Sequence, residues 1–380
     1  MSAGVYLHIP FCKSRCSYCD FATDVYRDAN TVERYVEALV TEVDRFRFGI
    51  VEQEQGGTIA VDTIYFGGGT PSLLSPSQVG HILKAVRSRF AVAAEVEITM
   101  EMNPATVTPE SLGAYRSHGV ARASFGVQTF NDRALRLLAR GHDANEARNT
   151  FRMLRDAGYD NVSFDLIAGL PGQTIKDWKR NLDEAIALQP EHLSLYLLEI
   201  HQGTPLAEQV RSGRQPMPDE DLAAEMYETM VDRLSEAGYQ QYEISNFSKA
   251  GFESRHNTKY WRLDPVFGFG VSAHSFDGRK RYSNQRDTSK YVTAIETMGS
   301  AEISREKIDI ASEYAFLGLR LERGIDLEKY ERRFDIDLTK KYNAELMGFR
   351  DAGLIEIQNR NLRLTHKGKL FSNEVFAIFV

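Results

Sequence analysis

The pattern of apolar and polar positions predicts strands that alternate with helices through the first two thirds of the chain. Short apolar runs predict strands at residues 5–9, 62–66, 96–100, 122–127, 162–167 and 192–197. Apolar residues at helical spacing predict helices at 32–46, 77–90, 109–118, 143–157 and 175–188. This alternation is typical of a parallel sheet built from βαβ units. Six units predict an α/β fold, a partial (β/α)6 barrel rather than a closed eight-stranded one.

Distinctive polar residues fall near the carboxyl ends of five successive predicted strands. The first strand leads into a cysteine-bearing loop, and the second into Gly67, Gly68, Gly69 and Thr70. Glu101 follows the third strand, Gln128 follows the fourth, and Asp165 lies near the end of the fifth. Barrel active sites collect at this end of the strands. The placement favours a barrel over an open doubly wound sheet, which the apolar pattern alone does not exclude.

The cysteines of the chain, Cys12, Cys16 and Cys19, share the spacing Cys-x3-Cys-x2-Cys. Thiolates are the usual ligands of iron–sulfur clusters, and a cubane normally takes four of them. Three thiolates would leave one iron free to bind a small molecule, which predicts a reactive [4Fe–4S] cluster. A zinc site usually takes four ligands, and the fourth would be His8, inside a predicted strand, or a distant residue. A disulfide would leave one thiol over.

Composition narrows the class of protein further. The chain has 380 residues, of which 42% are hydrophobic, enough for one large barrel-like domain and a smaller one. A net charge of −7, without a basic cluster, gives no support for a nucleic-acid surface. No apolar run approaches the length of a transmembrane helix, and the apolar residues 375–380 are more typical of core packing. No secretory signal is recognised at the start, so we expect a cytoplasmic protein.

The block from Tyr6 to Phe21, YLHIPFCKSRCSYCDF, closely resembles the radical S-adenosylmethionine (SAM) superfamily. More narrowly, it resembles the branch that contains oxygen-independent coproporphyrinogen III oxidase. The resemblance implies that the open iron chelates SAM, whose sulfonium is split by an electron from the cluster to give a 5′-deoxyadenosyl radical. The oxidase typically has a further cysteine two residues after the third. Phe21 occupies that position here, which favours the heme-chaperone side of the branch.

The resemblance also implies which side chains hold SAM. Carboxylates suit ribose hydroxyls and an ammonium group, and a guanidinium suits a carboxylate. A tight βα turn is the ordinary interpretation of three glycines, and a helix arginine is usually only solvated. Matched against the family, the residues expected at the cofactor are Tyr6, Tyr18, Gly67, Gly68, Gly69, Thr70, Glu101, Gln128, Arg140 and Asp165.

A second motif, His256-Asn257-Thr258-Lys259-Tyr260-Trp261, lies beyond the predicted barrel strands. Neutral imidazole is a common axial ligand of heme iron. Alone, a histidine beside two aromatic residues usually packs at a domain junction. The pattern His-Asn-x-x-Tyr-Trp, however, matches the motif of the heme-chaperone side. It implies heme contact through an exposed His256, apolar cover from Tyr260 and Trp261, and a hydrogen bond from Asn257. His274 is a weaker candidate and more typical of a structural residue.

Three regions are predicted: a radical SAM barrel at 1–240, a connecting segment with the second motif at 241–301, and a C-terminal domain at 302–380. In the last region the pattern predicts helices at 312–321 and 327–334 and strands at 354–358 and 361–364. This order resembles the smaller α+β, winged-helix-like domain of the oxidase branch.

The sequence therefore predicts a protein that binds heme and delivers it to an acceptor protein, using a [4Fe–4S] cluster and SAM. By resemblance, membrane-bound respiratory enzymes are possible acceptors, an external electron donor is required, and a homodimer is allowed. The alternative is the oxidase reaction, oxidative decarboxylation of coproporphyrinogen III propionates. A structural zinc or iron–sulfur protein would not explain the polar residues at the strand ends.

Overall fold

The computed structural model describes residues 2–47 and 58–379. The strands, numbered in chain order, are β1 Ala3–Ile9, β2 Phe11–Cys12, β3 Asp24–Val25, β4 Ala60–Gly68, β5 Ala91–Met102, β6 Arg122–Gln128, β7 Asn161–Ala168, β8 His192–Leu197, β9 Gln240–Gln241, β10 Asn246–Ser248, β11 Val266–Phe269, β12 His274–Phe276, β13 Lys280–Asn284, β14 Glu302–Lys307, β15 Ile325–Asp326, β16 Ile355–Gln358 and β17 Asn361–Leu364.

Most of the described helices begin at side-chain caps that the sequence supplies. Asp143, for example, accepts the Glu146 amide while the Glu146 side chain returns to the cap, which satisfies amides that a helix start leaves free. The helices are α1 Ala29–Arg45, α2 Pro76–Arg89, α3 Pro109–Ser117, α4 Asp132–Leu137, α5 Ala144–Asp156, α6 Ile175–Leu188, α7 Pro205–Arg211, α8 Glu220–Glu236, α9 Arg255–Trp261, α10 Thr288–Met298, α11 Ile310–Gly318, α12 Leu327–Phe334, α13 Leu338–Lys341, α14 Asn343–Asp351, α15 His366–Leu370 and α16 Ser372–Phe376.

The main sheet contains the six predicted barrel strands side by side and parallel, in the order β1-β4-β5-β6-β7-β8. Helices follow the strands in the alternation that the sequence predicts. Each predicted strand is present, and β4 and β5 are longer than expected. The fold class, an α/β partial barrel with a smaller α+β domain, is therefore confirmed.

The two faces of the barrel strands differ in chemistry. In β6, Ala123, Phe125 and Val127 lie in the apolar core, whereas Arg122 and Ser124 alternate with them on the opposite face. The same alternation runs through β7 and β8, and the inward positions are paired across strands by register. Because side chains alternate along a strand, a dry outer layer and a polar lumen arise from one sequence pattern.

The region predicted as a connecting segment is part of the main sheet. β11 lies parallel beside β1, with Val5 opposite Phe267, and β12, β13 and β14 extend that edge. The segment therefore also extends the main sheet, and the predicted boundary at 302 falls at the start of β14, which pairs with β13. The division into three regions stays a prediction. Strands of three to six residues with many polar positions give a weak apolar pattern.

The C-terminal domain has its own apolar core and a small antiparallel sheet of β15, β17 and β16. The predicted helix at 327–334 and the strand pair are present. Val375, Phe376 and Phe379 are buried in this core, as predicted for the apolar end, and residue 380 lies outside the described residues. Among the described helices, none is long and apolar enough to cross a bilayer.

Candidate functional site

The cysteine loop is fixed at the carboxyl end of β1. β2, which ends at Cys12, pairs with β3, and the Asp24 and Tyr26 amides donate to carbonyls of the loop. Farther along, Ser17 donates through its amide to Leu138, accepts from Leu206 and so joins the loop to two neighbouring segments. The three cysteines are partly exposed on this loop. A loop that is fixed by hydrogen bonds and has accessible sulfurs can bind a cofactor that the protein covers on one side only.

Two neighbouring side chains donate hydrogen bonds to the cysteine sulfurs. The Thr70 hydroxyl donates to Cys12 Sγ over 3.5 Å, and Arg140 Nη1 donates to Cys16 Sγ over 3.4 Å. Burial raises the pKa of the Cys12 and Cys19 thiols, so metal binding at these positions would release protons. The two hydrogen-bond donors stabilise the negative charge of a thiolate, and the thiolate is the form of cysteine that binds iron.

Residues 2–47 and 58–379 contain no group of three or more His, Cys, Asp or Glu side chains arranged to hold one metal ion. A cubane does not need such convergence, because each thiolate binds a different iron. His8, the alternative fourth zinc ligand, has both ring nitrogens hydrogen-bonded, Nδ1 with the Tyr6 hydroxyl at 3.1 Å and Nε2 with the Ala22 carbonyl at 2.9 Å. The three cysteines fit an iron–sulfur cluster better than a zinc ion.

The glycine loop packs closely against β1. A Cβ at Gly67 would lie 2.9 Å from the Tyr6 ring, one at Gly68 2.8 Å from the His8 ring, and one at Gly69 2.6 Å from the Pro10 carbonyl. Gly68 also has a φ of 115°, which L side chains rarely adopt. The Gly68 and Gly69 amides are already used, by Glu101 and by the Ile9 carbonyl. Close packing on β1 thus explains the glycines without a ligand.

Glu101 lies within β5, not after it as predicted, with its carboxylate on the lumen face. Tyr65 donates its hydroxyl to Oε1 over 2.9 Å, and the Gly68 amide donates to Oε2 over 3.0 Å. Burial raises the Glu101 pKa to about 7, with Asp165 adding in the same direction and the Tyr65 and Gly68 hydrogen bonds opposing it. Near neutral pH this carboxyl can therefore take either charge state, and a cation beside it would hold it ionised.

Asp165 and Gln128 complete the polar set on β6 and β7. Burial raises the pKa of Asp165, and the hydroxyls of Ser194 and Ser124 partly offset this. Gln128 has a left-handed φ of 66° where the pairing of β6 with β7 shifts register. A Cβ on Gly126 would approach the Gln128 amide to 2.5 Å. Such backbone strain in a non-glycine residue is characteristic of functional sites.

Arg140 is not the solvated helix arginine that its sequence neighbours suggest. It follows α4 and points into the site, where Nη2 donates to Asn103 Oδ1 over 3.0 Å and to the Gly126 carbonyl over 2.8 Å. Its Nε is buried without a hydrogen-bond partner among the described residues. Burial raises the pKa of Tyr18, and the charge of Arg140 opposes this shift. The predicted cofactor residues around the cysteine loop are thus brought together.

Sequence reasoning missed two lumen residues. Tyr65 precedes Gly67 by two positions and therefore shares its strand face, which is a usable signal. Arg122 is only 2% exposed, its Nε has no hydrogen-bond partner among the described residues, and its charge lowers the pKa values of Glu101 and Asp165. Arg122 is the first residue of β6, whose positions are mostly buried. A charged residue in such a strand was the available signal, because arginine is rarely fully buried unless it has a partner.

The expectation of an exposed His256 is wrong. Its side chain is 1% exposed and lies at the amino-terminal end of the barrel strands, which we call the barrel floor. Nδ1 is 2.9 Å from the Thr63 hydroxyl and Nε2 is 3.2 Å from the Tyr260 hydroxyl. Burial, then the charges of Lys259 and Arg122, lowers the His256 pKa to about 3. In this conformation neither nitrogen is free to ligate iron, and heme contact through it stays a prediction.

The other residues of the motif also have structural contacts. The backbone N–H of Asn257 donates to the capping Ser254 hydroxyl at the start of α9. Trp261 packs against the guanidinium of Arg320 at 4.4 Å, beside apolar residues of the C-terminal domain. Heme cover by Tyr260 and Trp261, and a hydrogen bond from Asn257, likewise stay predictions. His274 is exposed on β12.

Comparison with known families agrees with this geometry. Residues 6–185 match the radical SAM superfamily and residues 306–371 match the HemN C-terminal domain. The fold and the cysteine loop therefore define a radical SAM protein. Heme chaperone HemW of Bacillus subtilis is 35% identical over 99% of both chains, and HemW of Lactococcus lactis is 34% identical over 99% of this chain and 97% of its own. The chain belongs to the HemW family.

Two further relatives extend the comparison. The mitochondrial radical S-adenosyl methionine domain-containing protein 1 of Bos taurus is 33% identical, over 96% of this chain and 84% of its own. The solved structure of Escherichia coli coproporphyrinogen III oxidase (HemN), described as a radical SAM enzyme, has a TM-score of 0.85. It is 24% identical, covering 100% of this chain and 90% of its own, and at this identity it supports the fold only.

Proposed function

We propose that this protein is a heme chaperone that binds heme and transfers it to an acceptor protein. The observation that carries the proposal is the match to HemW relatives along 99% of the chain, through the barrel and the C-terminal domain alike. The position after the third cysteine where the oxidase typically has another is Phe21, which is 67% exposed. A single protein-bound cluster with three protein thiolates is what this loop can hold.

Two cofactors fit the residues at the barrel mouth, by which we mean the carboxyl ends of β1 and β4–β8. Cys12, Cys16 and Cys19 would hold a [4Fe–4S] cluster and leave one iron for SAM. The SAM contacts would come from the glycine loop, Glu101, Gln128, Arg140 and Asp165, with Tyr6 and Tyr18 beside them. When bound, the cluster and SAM supply one-electron chemistry. The chain itself contributes orientation, a partly dry lumen, and a carboxyl with a pKa of about 7 at Glu101.

The proposed function does not depend on His256 as the iron ligand. The ring is enclosed and both nitrogens are hydrogen-bonded, so ligation would require the barrel floor to open. The proposed acceptor is a protein that takes up heme, and reduction of the cluster requires an external electron donor.

The test is anaerobic reconstitution of the cluster, followed by two assays on one preparation. Hemin titration followed by the Soret band should show stoichiometric binding. Incubation with coproporphyrinogen III, SAM and reductant should give no multiple-turnover decarboxylation. A preparation that decarboxylates coproporphyrinogen III repeatedly and binds no heme would refute the chaperone function and assign the oxidase reaction.

A further inference from the structure

We infer that His256 is a positioning residue for the SAM site: it fixes the ring of Tyr65, and Tyr65 fixes the carboxylate of Glu101. The inference rests on the proposed role of Glu101 in binding SAM. The second motif then has a function at the cofactor site. Its effect passes from the barrel floor to that site through His256, Tyr65 and Glu101, each in contact with the next.

The first step is the rigidity of His256. Its backbone amide donates to Glu97 Oε1 over 3.1 Å, its Nδ1 meets Thr63, and its Nε2 meets Tyr260. Hydroxyl groups can donate or accept, so the neutral ring is satisfied in either tautomer. Behind it, a Cβ on Gly4 would come within 3.2 Å of the imidazole. The ring is therefore held by hydrogen bonds along its edge and by β1 at close range.

The second step is the contact between the two rings. The His256 and Tyr65 rings are stacked, with centroids 5.1 Å apart and an interplanar angle of 28°. Tyr6 stacks on Tyr65 at 6.2 Å and lies 6.4 Å from His256. Loss of the imidazole would remove one packing surface of Tyr65 and leave space beside its ring. A side chain beside a cavity gains rotational freedom, because protein interiors are otherwise closely packed.

The third step is the hydrogen bond from Tyr65 to Glu101. The Tyr65 hydroxyl holds Oε1, and the Gly68 amide holds Oε2, so the plane of the carboxylate is set by two donors. The amide belongs to the glycine loop and does not depend on His256. The hydroxyl moves with the Tyr65 ring. A mobile Tyr65 would therefore release one oxygen of Glu101 and leave the other bound.

A second buried histidine provides a matched control. His192 is also enclosed and also lies between two hydroxyls, with Nδ1 2.8 Å from Ser163 and Nε2 2.7 Å from Tyr242. Its ring contact is with Tyr242, not with Tyr65. His192→Ala should therefore cost stability in the same way as His256→Ala without loosening Glu101.

The experiment is a double-mutant cycle on the reconstituted protein, with SAM affinity and the effect of SAM on the cluster's electron paramagnetic resonance spectrum as readouts. His256→Ala should weaken SAM binding about tenfold, on the scale of losing one hydrogen bond that positions a binding group. Tyr65→Phe keeps the stacked ring and removes only the hydroxyl. If His256 acts through that hydroxyl, the double variant should lose no more affinity than Tyr65→Phe alone.

Three results would overturn the inference: unchanged SAM affinity in folded His256→Ala, additive losses in the double variant, or an equal loss in His192→Ala. Loss of the heme Soret band with SAM affinity intact would make His256 a heme ligand instead. If His256→Ala does not fold, His256→Gln, which keeps a donor and an acceptor but loses the ring, replaces it in the same cycle. Failure of the parent itself to bind SAM would refute the proposed SAM site, a result distinct from any change confined to His256 variants.

Discussion

The mouth and the floor of the barrel both carry side chains of types that bind metals, cysteine at the mouth and histidine at the floor, yet the protein encloses the two sets differently. At the mouth, the cysteines are partly exposed and the buried Nε of Arg140 has no protein partner among the described residues. At the floor, His256 and His192 each have a hydroxyl on both ring nitrogens. Residue type alone therefore does not identify a ligand site. What distinguishes these two sets of candidate ligands is that the sulfurs at the mouth are partly exposed, whereas the imidazoles at the floor are buried and hydrogen-bonded on both nitrogens.

The largest expected effect tests the mouth at its metal ligands. Cys12→Ala, Cys16→Ala or Cys19→Ala should each abolish the broad visible absorption of the reconstituted protein, because no spare cysteine exists in the chain. Ser14→Ala, in the same loop, is the control and should retain the absorption. An intact cluster in the triple cysteine variant would place the metal elsewhere.

The second prediction concerns Asp165. Asp165→Ala should weaken SAM binding by roughly 1 to 3 kcal/mol, the scale of losing a buried polar partner. Isothermal titration calorimetry of the reconstituted protein measures this directly. An unchanged affinity with the fold intact would show that Asp165 has only a structural role in the lumen.

The third prediction uses the pKa of Glu101, about 7 in the free protein because of burial. The ionised carboxylate should bind the cationic cofactor better, so SAM affinity should fall as the pH drops below about 7. In Glu101→Gln this part of the pH dependence should disappear. A parent profile that is flat between pH 6 and 8, measured by the same titration, would mean that Glu101 does not meet SAM.

The smallest expected effect tests the electrostatic link between the two ends. Arg122 lowers the pKa values of both Glu101 and Asp165, so Arg122→Met should raise them. SAM affinity should then begin to fall at a higher pH than in the parent. Thermal stability should fall, because removing one member of a buried set of opposite charges leaves the two carboxyls without their compensating charge. A pH profile of SAM affinity identical to that of the parent would show that the charge of Arg122 does not act on the carboxyls at the mouth.

The strands and helices of the barrel could be predicted from the sequence because their apolar periodicity is strong and their ends carry turn and cap residues. Residues 175–188 and 192–197 were predicted at their observed bounds. The short strands β12–β14 were not recognised, since few apolar positions mark them. The extension of β5 through Glu101 was also missed, because hydrogen bonding to β6 decides where a strand ends.

Within the candidate site, the spacing of the cysteines and the placement of polar residues at strand ends were enough to predict that the mouth residues lie near one another. The location of His256 could not be predicted. Aromatic residues around a histidine are compatible with a covered heme and with a filled barrel floor alike. Only the contacts with Thr63 and Tyr65, from a strand almost two hundred residues earlier, distinguish the two.

The measurement that tests the central claim most directly is heme transfer from the anaerobically reconstituted protein to an apo heme protein, followed by the change in the Soret spectrum. The account predicts that heme leaves this protein and appears in the acceptor. Heme that binds but never reaches an acceptor, or repeated turnover of coproporphyrinogen III in its place, would contradict the account.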